Sequence, residues 1–86
     1  MVKVLVPDLG EEVKEATISY WYYEEGDMVH EGDNLVEIST DKATFNVQSP
    51  ANGTLVEVMF EEGDQVHSQD LLAKISIEDS EGEENG

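Results

Sequence analysis

Apolar residues in this chain fall mostly in short alternating runs separated by Gly- and Asp-containing turns, and no convincing helix is visible. Val2 to Val6 alternates lightly and stops at Pro7, and Asp8 to Glu12 reads as a loop broken by Gly10. Ala16 to Tyr23 is rich in β-branched and aromatic residues and predicts a strand. Its alternation falters at Tyr20-Trp21-Tyr22-Tyr23, which predicts a bulge and leaves the inward-facing aromatics open. Short strands are expected at Met28 to His30 and Gln65 to His67, and longer ones at Thr54 to Phe60 and Leu71 to Ile77. In the middle, Leu35 to Ser39 and Phe45 to Gln48 flank Thr40-Asp41-Lys42-Ala43-Thr44 and read as a hairpin, with Asp41-Lys42 as the turn. Lys42 is the only lysine between Lys14 and Lys74, and at a hairpin tip its ammonium projects into water. It reads as a handle for covalent attachment that the rest of the chain holds out.

An internal repeat decides the architecture. Residues 23–39 laid over 60–76, a shift of 37, agree at ten of seventeen positions, including Glu24-Glu25-Gly26-Asp27 over Glu61-Glu62-Gly63-Asp64. Two copies of a four-strand unit predict an all-β fold. The expected form is a flattened barrel or sandwich of two four-stranded antiparallel sheets, related by internal pseudo-two-fold symmetry around one core. The same shift carries Lys42 to Leu5 or Asp79, near the termini, so the Lys42 turn is expected at one end and both termini at the other.

Eighty-six residues allow one domain, and the absence of cysteine removes disulfides and thiolate metal sites. Four lysines against 21 acids give a net charge of −17, which would repel nucleic-acid phosphates. Five of those acids lie in the last nine residues, so residues 1–77 are expected to form the domain. Residues 78–86 are expected to be an acidic, disordered tail, the start of an interdomain linker. The other 16 acids leave the domain at −12, a field that steers it to a basic partner or serves solubility alone. No apolar run reaches a membrane span, and no signal or Arg-bearing transit pattern is seen. A bacterial-type cytoplasm is expected, or the mitochondrial matrix if the source is eukaryotic. His30 and His67 occupy equivalent repeat positions, which accounts for them without a metal. The twin Glu-Glu-Gly-Asp segments lack the alternating oxygen ligands of a calcium loop. Asn52-Gly53-Thr54 reads as a turn rather than a glycosylation site. No phosphate loop or nucleophile elbow is present, so the segment by itself is not expected to be an enzyme.

In this frame the chain resembles a lipoyl domain of the acyltransferase (E2) component of a 2-oxo acid dehydrogenase complex. The residues that carry the resemblance are Val6-Pro7-Asp8-Leu9-Gly10-Glu11-Glu12, Glu25-Gly26-Asp27 with Val29, and Asp41-Lys42-Ala43. Pro50-Ala51-Asn52-Gly53 and Gly63-Asp64 complete it. The resemblance implies a non-catalytic swinging-arm carrier with lipoic acid in amide linkage to Lys42, and recognition by the ligase and by E1 at Asp41 and Ala43. Asp41 as an ordinary turn residue is the plainer alternative. A thiamine-dependent decarboxylase (E1) would acylate the arm and the E2 core would pass the acyl group to coenzyme A. Dihydrolipoamide dehydrogenase (E3) would then reoxidise the arm. A hydrated lysine ammonium is protonated at neutral pH, so activation must come from the lipoate-attaching ligase, and the domain contributes presentation. The isolated domain is expected to be monomeric, and pyruvate or branched-chain acids are the expected substrates of the complex. The alternatives are a biotin carrier domain, which typically has methionines where this chain has Asp41 and Ala43, and an unmodified acidic interaction module. The glycine-cleavage carrier protein also bears lipoyl-lysine, but it is longer.

Overall fold

The computed structural model describes residues 1–13 and 15–77; the expected 78–86 tail lies outside the described residues. Eight strands follow in order: β1 (Val2–Leu5), β2 (Ala16–Trp21), β3 (Met28–Val29), β4 (Asn34–Ser39), β5 (Thr44–Gln48), β6 (Gly53–Val58), β7 (Gln65–Val66) and β8 (Leu71–Ser76). They form two four-stranded antiparallel sheets, β1-β8-β6-β3 and β5-β4-β2-β7. Each sheet takes its two-residue strand, β3 or β7, from the sequence repeat that supplies the long strands of the other sheet, so neither repeat folds over its own core.

The shift of 37 carries β2, β3 and β4 residue for residue onto β6, β7 and β8, and β5 corresponds to β1. The hydrogen bonds follow the same relation. Ile18 N–H donates to the Asp64 carbonyl at 2.9 Å, and Leu55 N–H to the Asp27 carbonyl at 2.9 Å. The repeated acids are mostly turn and strand-end acceptors. Asp27 and Asp64 accept from the Glu24 and Glu61 amides at 2.8 Å each. Asp33 and Asp70 accept from the His30 and His67 amides at 2.9 and 2.8 Å. Glu62 accepts from the Trp21 amide at 3.0 Å and Glu25 from the Val58 amide at 2.8 Å, each fastening the strand end of the opposite half. Gly26 and Gly63 sit at φ 98° and 96°, where a Cβ would be strained, so the repeated Glu-Glu-Gly-Asp segment is a turn with a built-in acceptor.

Ile18, Leu35, Val36, Ile38, Leu55, Leu72, Ala73 and Ile75 fill the core between the sheets, each at most 1% exposed. The predicted bulge exists but lies upstream of the aromatic run. The β2–β4 register slips between Ile18 and Tyr20, and the β6–β8 register slips at the equivalent Leu55 to Glu57. Ser19 is the extra residue, so Ile18 points inward, Tyr20 outward and Trp21 back toward the core. β2 ends at Trp21 rather than Tyr23. Trp21 and Tyr23 pack against the core, while Tyr20 and Tyr22 are exposed and meet edge-to-face at 5.1 Å. Among the other expected strands, Val6, His30, Met59, Phe60, His67 and Ile77 lie outside β1, β3, β6, β7 and β8, whereas β4, β5 and β6 each begin one residue earlier than expected, at Asn34, Thr44 and Gly53. The Tyr23 hydroxyl donates to Asp33 at 3.2 Å. Partial burial of the ring, then the Asp33 carboxylate, pushes the phenol above its usual range. The His30 amide bond holds the Asp33 carboxyl below its own usual range, with help from Tyr23.

The ends of the molecule follow from the pairing. Ser39 pairs Thr17, whose neighbour Ala16 pairs Val66, and the turn after Val66 leads into Leu71. The Lys42 turn therefore shares an end with the start of β8. Val2 pairs Ile75 and Thr54 pairs Ser76, so the first and last described residues, Met1 and Ile77, follow from the far end of β8. Six strand residues at about 3.3 Å each separate the two ends of β8 by roughly 20 Å.

Candidate modification site

The hairpin tip is Thr40-Asp41-Lys42-Ala43, between the Ser39–Thr44 pair that ends the β4–β5 ladder. The Thr40 amide donates to the Ala43 carbonyl at 2.7 Å. The reciprocal acceptor is not the Thr40 carbonyl but its side chain: Thr40 Oγ1 accepts from the Ala43 amide at 2.9 Å and the Lys42 amide at 3.1 Å. The same hydroxyl donates to the Ala43 carbonyl at 3.1 Å. The favoured two-residue hairpin turns have positive φ at their centre, usually from Gly or Asn. Asp41 and Lys42 have no positive φ, and the Thr40 hydroxyl closes the tip in place of that backbone geometry. Thr40 is the residue the sequence reasoning passed over. A Thr two and three positions before the amides it caps was the available signal.

Asp41 and Ala43 flank Lys42 as expected, and both are exposed. Ala43 is held by its carbonyl and amide, while the Asp41 carboxylate accepts no hydrogen bond from the described residues. The plain turn-residue reading of Asp41 therefore lacks the side-chain bond that Thr40 makes, and Asp41 is left facing solvent.

Lys42 has a side chain 63% exposed, and its Nζ meets Glu12 Oε1 at 3.1 Å. Glu12 comes from the β1–β2 loop, which reaches this end because Leu9 is buried and Val13 packs on the core. The Leu9 amide donates to Ser68 Oγ at 3.0 Å, and the Val13 amide to the Gly10 carbonyl at 3.2 Å. An amide-linked acyl group on Nζ fits this surroundings. The amine is reached from solvent, and forming a neutral amide sacrifices only an ion pair exposed on both partners, worth at most about 1 kcal/mol. His30 and His67 sit beside Asp33 and Asp70 at 3.6 and 3.5 Å, as equivalent turn residues in the two repeats.

Residues 2–75 match the family model described as Biotin-requiring enzyme. Over 58 residues the chain is 52% identical to the dihydrolipoyllysine-residue succinyltransferase component of the 2-oxoglutarate dehydrogenase complex of Rickettsia bellii. That match covers 67% of this chain and 14% of that relative, so the chain spans about one seventh of the relative's length. Among solved structures, the fold is similar to the lipoyl domain of the Azotobacter vinelandii 2-oxoglutarate dehydrogenase complex. The TM-score is 0.75 at 30% identity, covering 90% of this chain and 98% of that one. The lipoyl domain of the Escherichia coli dihydrolipoyl succinyltransferase is similar at TM-score 0.71 and 42% identity, covering 86% and 92%.

Proposed function

The chain belongs to the biotin- and lipoyl-attachment family, as one of its lipoyl domains, and on that premise we propose that Lys42 is its N6-lipoyllysine position. The observation that carries this reading is the tip itself: one solvent-facing lysine at the end of a hairpin that the Thr40 hydroxyl closes. The parent protein is an E2 acyltransferase, of which residues 1–77 are the carrier domain. The attached dithiolane, when present, supplies the redox and acyl-carrying chemistry that links E1, the E2 core and E3. This chain's residues do the rest. Thr40 fixes the height and direction of Lys42; Asp41 and Ala43, exposed on either side, are the surface a ligase and an E1 meet first. The described residues begin and end at the opposite end of the domain, so a linker joined there would hold the domain without covering the arm, and tethering raises the arm's concentration at each active site.

The named relatives serve 2-oxoglutarate, which makes a succinyl group the expected cargo rather than the acyl groups of pyruvate or branched-chain acids. Intact mass before and after incubation with lipoate ligase, ATP and lipoic acid, followed by peptide mapping, tests the site. One lipoyl group confined to Lys42 is expected, and none on Lys42→Arg, whose guanidinium is no substrate amine. A biotinyl group added by biotin ligase would move the chain to the biotin carriers, and no modification by either ligase would favour the interaction module. Reductive acylation of the lipoylated chain by 2-oxoglutarate and pyruvate E1 enzymes tests the cargo; faster reaction with the pyruvate enzyme would refute succinyl.

A further inference from the structure

On the pseudo-two-fold axis, away from the Lys42 tip, the two halves enclose an open cleft of about 630 Å³. Equivalent residues face each other across it: Trp21 and Val58, then Tyr23 and Phe60. All four are half-buried and pack on the core, so the floor is aromatic and aliphatic surface continuous with it. Trp21 is fixed further, because its Nε1–H donates to the Phe60 carbonyl at 3.0 Å. Glu24 and Glu61 stand at the rim, with Glu25 and Glu62 beside them. Glu25 and Glu62 each spend one oxygen on a strand-end amide. Glu24 and Glu61 make no side-chain bond to the described residues, and none of the four meets a lysine or histidine among them within 4.0 Å. Of the other described cations, Lys42 and Lys74 are engaged with Glu12 and Glu57, His30 and His67 lie at the His–Asp turns, and Lys3 lies on β1.

An aromatic floor under uncompensated carboxylates is the arrangement that attracts a cation: the ring face draws the charge and the carboxylates complete it. A planar guanidinium suits it better than an ammonium, because it stacks on the indole and offers paired N–H groups to a carboxylate. We propose that this cleft docks an arginine-bearing segment of a partner polypeptide, with the guanidinium over Trp21 between Glu24 and Glu61. The occupant is chosen by charge complementarity: the domain carries 16 acids against four lysines over residues 1–77 and concentrates four of those acids around this floor. The reading is independent of lipoylation, since Lys42 lies at one end of the molecule and the cleft midway along it.

The test titrates the 86-residue chain with an acetylated, amidated Gly-Arg-Gly-Arg-Gly peptide, following Trp21 fluorescence and amide shifts by NMR. Trp21 is the only tryptophan, so the optical signal reports the cleft directly. Saturable change at Trp21, Tyr23 and Phe60 is expected, equally in Lys42→Arg. Binding weakens roughly tenfold in the Glu24→Gln, Glu61→Gln double variant, whose unchanged amide spectrum elsewhere shows an intact fold. The lysine peptide binds more weakly and the neutral citrulline peptide not at all. Shifts spread evenly over the acidic surface, shifts centred on the Lys42 tip, or equal binding of the citrulline peptide would each overturn the proposal.

Discussion

Thr40 is the most informative single position, because one hydroxyl oxygen holds the tip that presents Lys42. Thr40→Val keeps the shape and β-branching of the side chain but deletes its two accepted bonds and its donated one. These bonds are exposed, so each lost amide bond is replaced by water and contributes about 0.5 kcal/mol net; together the three contribute about 1 to 1.5 kcal/mol. The backbone bond from Thr40 to Ala43 and the Ser39–Thr44 pair remain, so the loss is local opening of the tip rather than unfolding. Hydrogen exchange reads this directly. The Lys42 and Ala43 amides are expected to exchange roughly 5- to 13-fold faster, while core amides such as Leu55 and Ile75 keep their rates. Thr40→Ser restores the oxygen and should restore the protection. The rate of Lys42 lipoylation should fall in Thr40→Val and recover in Thr40→Ser. Unchanged exchange at Lys42 and Ala43 would refute the assignment of the hydroxyl as the closure. Faster exchange with an unchanged lipoylation rate would refute the link between tip geometry and presentation.

The remaining predictions concern the frame. A Cβ at Gly53 would collide with the Ser76 carbonyl oxygen and stand 2.8 Å from Ile75 Cγ2, so Gly53→Ala must push β6 from β8. Such overpacking costs about 1 to 3 kcal/mol, or a melting-temperature drop on the order of 5 to 20 °C; a change under about 2 °C would show that the strands separate freely. The equivalent Ala16 already carries its Cβ in the other half, so the two-fold relation is only approximate there. Tyr23 favours the neutral phenol when folded, so its contribution is complete below its unfolded value near 10 and is lost as pH rises through the higher folded value. Tyr22, raised by partial burial and then Glu37, acts in the same sense. Asp33 favours the carboxylate, so its contribution is present above about 3.9 and is lost as pH falls through its lower folded value. Chemical denaturation across pH checks both. Tyr23→Phe should shrink the alkaline loss without abolishing it, and an unchanged alkaline limb would contradict the assignment.

The all-β class, the repeat and the Lys42 tip were legible because they rest on local signals. Alternation of apolar residues sets strands, Gly-Asp segments set turns, and a repeat of 37 residues needs no coordinates to be seen. The inward aromatics were not legible. One extra residue at Ser19 reverses the alternation after it, and that slip depends on the β4 partner. Along the chain the repeated Glu-Glu-Gly-Asp segments mark turns, but nothing local shows that Glu25 and Glu62 each fasten a strand end of the other half, across 33 and 41 residues of sequence. Glu12 beside Lys42 is a contact over 30 residues, made only because Leu9 and Val13 anchor the loop between β1 and β2.

By itself, then, the sequence determined which segments extend, where they turn, and that one lysine stands alone at a tip, since these depend on neighbours along the chain. Only the tertiary structure decided that Thr40 closes that tip through its hydroxyl, and that the two halves exchange β3 and β7. It alone brought Trp21, Phe60 and two pairs of glutamates around one cleft. Those arrangements depend on groups far apart in sequence that are brought together by burial of a shared core, and no local pattern specifies their distance.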